Sequence, residues 1–291
     1  MNNETLVRLG SFLGIFIVMT IWELAAPRRR LTVAKAYRWG NNLGLILIDT
    51  LLVKLLFPMA AIGVATVAHQ QGWGLLNYWQ LPQLPAMIMS LLFLDLVVYL
   101  QHLLFHVAPT LWRLHMVHHA DLDIDVTTGL RFHPVEIIIS LVIKMAAVAA
   151  IGPPVLVVLI FEVTLNGTAM FNHSNVRLPT TLDTVLRLLV VTPDMHRVHH
   201  SVAIRETNTN FGFNFPWWDR LFGTYRAQPV AGHTAMTIGL SQYREPRQVS
   251  LDRLLLLPII GDPGRYSLKH IGGEPRAPRQ QKKNYPKGGK S

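Results

Sequence analysis

No cysteine occurs among the 291 residues, which removes disulfides, thiolate zinc sites, iron–sulfur clusters and cysteine nucleophiles at once. A metal bound by this chain is therefore held through nitrogen or oxygen. Charge is the second scarcity: Asp, Glu, Lys and Arg make up 15% of the chain, where a soluble domain carries about 25%. With half of the residues hydrophobic and a mean hydropathy of +0.29, a water-soluble globular enzyme is the weaker reading. No HExxH helix is present, and no acid stands inside any histidine cluster. The metalloprotease arrangement of two ligands and a general base is thus missing, and hydrolysis is disfavoured. Neither a GxGxxG after a strand nor a haem-attachment motif occurs, so a redox reaction here needs electrons from a separate reductase or carrier.

The apolar residues gather in runs long enough to match a bilayer. The first is Leu6–Ala26, which reads as a membrane helix rather than a signal peptide because Arg28, Arg29 and Arg30 follow it. The others are Leu43–Val67, Met87–Phe105 and Ile137–Met170, the last broken by Gly152-Pro153-Pro154 into a helical hairpin. The expected fold is all-α and polytopic: N-terminal membrane helices over 1–85, a catalytic region over 86–226, and a basic cytoplasmic tail over 227–291. Lys and Arg crowd 28–38 and are absent from 68–86, so the positive-inside rule sets the first loop in the cytoplasm. Counting crossings from there brings the ends of the third run and of the hairpin, with their histidines, to that same side. The net charge of +10 is no nucleic-acid signal, since residues 262–291 alone hold eight Lys/Arg against two acids, a net +6. Such a tail suits anionic lipid, and no nucleic-acid partner is expected.

Thirteen histidines, nearly as many as the seventeen acids, are the outstanding excess. His102-x-x-x-His106 places two imidazoles one helical turn apart. His115-Met116-Val117-His118-His119 and His196-Arg197-Val198-His199-His200 repeat an HxxHH pattern. With His173 where the hairpin re-emerges, and His133 in Arg131-Phe132-His133-Pro134, ten candidate ligands result. That is too many for one four-coordinate ion, so two metals are implied, and imidazole donors suit iron, zinc, copper or nickel. Asp95, Asp121, Asp123, Asp125 and Asp194 are candidates for orienting imidazole N–H groups, and Glu162 is an intramembrane carboxylate with an expected functional or paired role. His69, His233 and His270 lie apart from these boxes and read as solvated or structural. Arg205, Arg220 and Arg226 are available to dock an acidic carrier.

Over Leu94–Tyr225 the chain resembles the fatty acid hydroxylase/sterol desaturase superfamily of membrane di-iron oxygenases. The resemblance rests on the three boxes in order, Arg131-Phe132-His133-Pro134, Asn172-His173-Ser174-Asn175, Asn210-Phe211-Gly212 and Trp218-Asp219-Arg220-Leu221-Phe222-Gly223-Thr224-Tyr225. Tyr99-Leu100-Gln101, before the first box, departs from the family's aromatic and arginine surroundings, which bears on substrate choice. The resemblance implies a cytosol-facing histidine cap holding two Fe2+ ions, O2 as co-substrate, an external electron donor, and oxidation of an unactivated C–H bond of a lipid. Hydroxylation is favoured, with desaturation or a histidine-rich metal-binding or transport role as alternatives. By spacing alone, Trp217, Trp218, Phe222 and Tyr225 read as an amphipathic interfacial segment.

Overall fold

The computed structural model describes residues 3–268, and among them the architecture is all-helical, with two isolated β-bridges and no strand. The membrane bundle comprises α1 (Asn3–Ala25), α2 (Lys35–Leu56), α3 (Ala60–Gln71), the short α4 (Leu75–Trp79), α5 (Gln83–Val107), α7 (Pro134–Ile151) and α8 (Val155–His173). Over it lies a cap of α6 (Pro109–His119), α9 (Thr180–Leu186), α10 (Pro193–His199), α11 (Ile204–Thr207), α12 (Trp217–Leu221), α13 (Gly232–Ala235) and α14 (Leu251–Ile260). Five helical stretches are long and apolar enough to cross a membrane, and the chain is an integral membrane protein.

The second apolar run departs from expectation at both ends. Pro58 has no N–H and disfavours helix in the residue before it, so α2 ends at Leu56 and α3 begins at Ala60. At its start α2 extends eight residues earlier than the run, because Arg38 and Asn42 on its first turns bury against acids of the cap. Arg38 donates to both oxygens of Asp121 at 2.7 Å and to Asp125 at 2.5 Å, and Asn42 donates to Asp121 at 3.2 Å. The hairpin turns where the sequence placed it, with Gly152 left-handed at φ 68° and Pro154 preceding α8. Its tip meets Gly74 so closely that a Cβ on Gly74 would lie 2.3 Å from the Gly152 nitrogen. Both glycines are needed for that approach.

Side-chain contacts orient the bundle. On α1, Arg8 pairs with Glu162 of α8, while near its end Glu23 accepts from the backbone N–H of Val126 and Asn175, each at 2.7 Å. The two helices therefore run parallel toward the cap. The basic 27–38 loop meets the same cap, through Arg28 to Asp194 and Arg38 to Asp121, so this loop and the histidines share one end of the bundle.

Part of the expected tail is folded. Residues 227–268 pack onto the cap, and Tyr243, Leu254, Leu257 and Tyr266 join Trp112, Met116 and Val117 in one apolar core. Charge density is concentrated farther along the chain, and the leucine-rich α14 carries the apolar face that drives this docking. The remainder of the tail, with His270, lies outside the described residues.

Candidate metal centre

Four helix ends converge to build the site. His102 and His106 come from the last turns of α5, His115, His118 and His119 from α6, His173 from the end of α8, and His196, His199 and His200 from α10 and its C-cap. All nine are buried. They sort into two groups whose ligand atoms lie within 4.8 Å of one another: His102, His106, His115, His119 and His199 in one, and His118, His173, His196 and His200 in the other. Neither group follows the sequence boxes. Each HxxHH box divides between them: the i and i+4 imidazoles, His115 with His119 and His196 with His200, stay together on one face, while the i+3 imidazole, His118 or His199, turns toward the other group.

The hydrogen-bond partners of the rings fix their tautomers. His102 Nδ1 donates to the Phe211 carbonyl at 2.8 Å and His115 Nδ1 to Glu136 at 2.7 Å. Their Nε2 atoms nevertheless face each other at 3.1 Å. His118 donates through Nδ1 to the Arg131 carbonyl and His173 to that of Ala169, and their Nε2 atoms also stand 3.1 Å apart. A neutral imidazole has one N–H. With that proton spent at Nδ1, each pair brings two bare lone pairs together, an arrangement that repels unless a cation accepts from both. A first-row metal with bonds of about 2.0–2.1 Å to imidazole holds adjacent ligand nitrogens roughly 3 Å apart. The buried Nε2 atoms of His106, His119, His199 and His200 have no hydrogen-bond partner. The donor set fits a pair of metal ions.

Burial keeps these rings neutral. It holds His115 at about 3, and burial reinforced by neighbouring imidazoles holds His118, His119, His196, His199 and His200 far below the ordinary histidine range. Neutral imidazole is the ligating form.

Several expected roles are corrected. His133 is not brought to either group: it caps α7, accepting from Val135 N–H through Nδ1, while its Nε2 meets the Leu255 carbonyl at 3.2 Å. Both nitrogens are occupied, so the residue has no lone pair for a metal. Glu162 pairs with Arg8 and Lys144 between α1, α7 and α8. Asp95 accepts from Trp218 Nε1 at 2.7 Å, and Asp194 is held by Arg28 and Arg197 with His233 nearby. None of the three acids bonds a ligand. Asp121, Asp123 and Asp125 instead bind Arg38, the Thr32 and Val33 backbone, and Trp39, tying the first membrane loop to the cap. The carboxylate that does orient a ligand is Glu136, in the first turn of α7, which the sequence reading missed. Two residues beyond the His133-Pro134 step, it resembles an ordinary helix N-terminal acid. His69 is exposed on α3 and His233 is buried beside Asp194, matching their expected structural roles.

The Asn210-Phe211-Gly212 string also acquires a physical role. Asn210 sits in the left-handed region at φ 57°, and its side chain bonds the Met195 and Arg226 backbone. That bend aims the Thr209 carbonyl at His199 and the Phe211 carbonyl at His102. Asp219, from the Trp-Asp-Arg string, fixes the same bend by accepting from the N–H groups of Phe211 and Gly212. Phe132, stacked on His118 with ring centroids 4.5 Å apart, and Phe213, packed on His102, His173 and His196, supply apolar walls touching both groups.

The fatty acid hydroxylase family model matches residues 87–224, the span from α5 through the loop after α12. Ornithine lipid hydroxylase OlsE of Rhizobium tropici is 32% identical over 184 residues, covering 62% of this chain and 54% of that protein. Alkylglycerol monooxygenases are similar too: that of Caenorhabditis elegans is 31% identical over 157 residues, covering 52% of this chain and 30% of that protein. The Xenopus tropicalis protein is 24% identical over 226 residues, covering 74% and 48%. The match thus spans about half, or less, of each relative's length. No solved structure matches the chain.

Proposed function

Residues 87–224 make this chain a member of the fatty acid hydroxylase family, and from that premise we propose that it is an O2-dependent, iron-loaded hydroxylase of a lipid C–H bond, with its centre at the cytoplasmic end of the bundle. The observation that carries the reading is the pairing of bare Nε2 atoms, His102 with His115 and His118 with His173, inside a cluster of nine buried imidazoles. Two irons held there supply the O2-reducing chemistry needed for an unactivated C–H bond, with electrons from a separate reductase or carrier. The protein's own residues do the rest. The five-histidine group and the four-histidine group hold the ions, Glu136 and the backbone carbonyls orient the rings, and Phe132 and Phe213 exclude water around them.

Lipid substrates and oxygenation are common to the names of the relatives, one a lipid hydroxylase and the others alkylglycerol monooxygenases. The cytoplasmic assignment is supported by the arginines of the 28–38 loop, which share an end with the histidines. Two measurements test the proposal. Anaerobic iron loading should give about two irons per chain, as expected for two complete donor sets. Supplied with a reductase system, candidate membrane lipids and 18O2, the loaded protein should then transfer one labelled oxygen to product. A product that has lost two hydrogens without gaining label would replace hydroxylation by desaturation. Unchanged lipids despite a filled centre would favour a metal-handling role.

A further inference from the structure

Two flanks of the cap are apolar and exposed, and the first is set below the level of the histidines. The first is α12 with α9. Phe222, just after α12, stacks on Tyr99 with centroids 5.4 Å apart, and Trp218 Nε1 reaches Asp95. Tyr99 and Asp95 precede His102 on α5 by three and seven residues, which at 1.5 Å per residue places these contacts about 5 and 10 Å further into the bundle. Trp217 Nε1 and Arg220 tie α12 to the carbonyls of Leu188 and Arg187 at the end of α9. At this depth, Leu189 is 60% exposed and Leu221 69%. The second flank is α14. Its first residue donates to Asn41 and lies against Gly44, inside the first three turns of α2, while Ile259 at its far end is 75% exposed.

We propose that α9, α12 and α14 are seated in the acyl layer of the membrane, so that the cap is half-immersed and does not stand on the bilayer in water. Continuity with the spanning helices argues for lipid as the occupant. Leu100 and Leu104 of α5, beside the Tyr99 contact, are themselves exposed apolar residues on a membrane-crossing helix. The two flanks rest on different supports, the first on α5 and the second on α6 and the start of α2, whereas one seam with a second copy would cover a single face. Arg220 lies over the Tyr225 ring at 4.2 Å, giving the first flank the aromatic and basic rim that suits headgroup level. Seated this way, the histidines lie near the boundary between headgroups and acyl chains, where a lipid's alkyl carbons reach them sideways. The inference concerns the placement of the cap and stands or falls apart from the metal chemistry.

The cysteine-free sequence permits a direct test. Single variants Leu189→Cys, Leu221→Cys, Ile259→Cys and Arg247→Cys of the full chain are nitroxide-labelled in phosphatidylcholine/phosphatidylglycerol nanodiscs. Each sample is first checked for the metal content of the parent protein. Power saturation then compares collision with O2, which partitions into acyl chains, against a water-soluble nickel chelate. Labels at 189, 221 and 259 should be relaxed more by O2 than by nickel, and the label at 247 more by nickel. Nickel accessibility at 189, 221 and 259 equal to that at 247 would overturn the proposal by placing the flanks in water. Exclusion of both reagents would overturn it by showing a protein partner or second copy there. Leu188→Cys and Ile260→Cys replace any variant that does not retain its metal.

Discussion

The two histidine groups sit side by side and differ in how firmly they are prepared. In the five-membered group, four rings have their Nδ1 proton committed: His102 to Phe211, His106 to the side chain of Asn208, His115 to Glu136 and His199 to Thr209. In the four-membered group only His118 and His173 are so anchored, both to backbone carbonyls, and the Nδ1 atoms of His196 and His200 have no partner. The first group has more imidazoles, a carboxylate behind one of them, and four rings whose orientation is set by hydrogen bonds of the protein itself. The second has one imidazole fewer and two rings with no hydrogen bond at Nδ1. Orientation by outer partners raises ligand basicity and affinity, so the pair is asymmetric: one position is preorganised, and the other is more adaptable.

The comparison is most strongly tested by removing one ligand from each side. His119→Ala and His200→Ala should each cut turnover by about 100-fold or more, because ligands act as a unit, and the double variant should be little worse than either single one. Iron analysis should distinguish them: His200→Ala keeps the preorganised ion, whereas His119→Ala lowers occupancy of both. Equal retention in the two variants would remove the asymmetry. Next in size is Glu136→Leu, expected to weaken metal binding by roughly 10–100-fold at the five-histidine position alone, as read by competition with a chelator. Glu136→Gln should recover most of that loss, since its amide oxygen can still accept from His115.

Acid should act on the metal-free protein in a definite direction. His115 is held at about 3 in the fold, and His118, His119, His196, His199 and His200 also titrate well below their unfolded values. Below about 6.5 the unfolded chain therefore binds protons that the folded chain refuses, and stability falls with pH until the folded pKa is reached. The apo protein should be most stable above about 7 and lose stability steadily from about 6.5 downward. Metal binding should move that loss to lower pH. A flat melting temperature between pH 7 and 5 for apo protein would contradict the buried neutral cluster. The smallest effect belongs to the histidine outside both groups. His133→Ala should leave metal content at its parent value and cost about 1 kcal/mol of stability through the lost cap on α7.

Much of this was legible in the chain. Hydropathy showed the spanning helices because a bilayer demands long apolar runs whatever else the protein does, and Gly152-Pro153-Pro154 marked the hairpin because those residues cannot continue a helix. The nine histidines that cluster were visible as candidates because imidazoles repeated at i, i+3 and i+4 have few uses besides metal. The absence of cysteine excluded thiolate donors. What required the tertiary structure was every relation between distant segments. His133 looks like a ligand until Leu255, 122 residues away, is found on its Nε2. Glu162 and Asp95 look like partners of the centre until Arg8, Lys144 and Trp218 claim them. Composition made the last residues a tail, yet α14 had an apolar face and found a core to cover. The division of nine histidines into five and four was likewise invisible, since neighbours in one box serve different positions. Local spacing determines which face a side chain occupies; only the packing of four helix ends determines what that face meets.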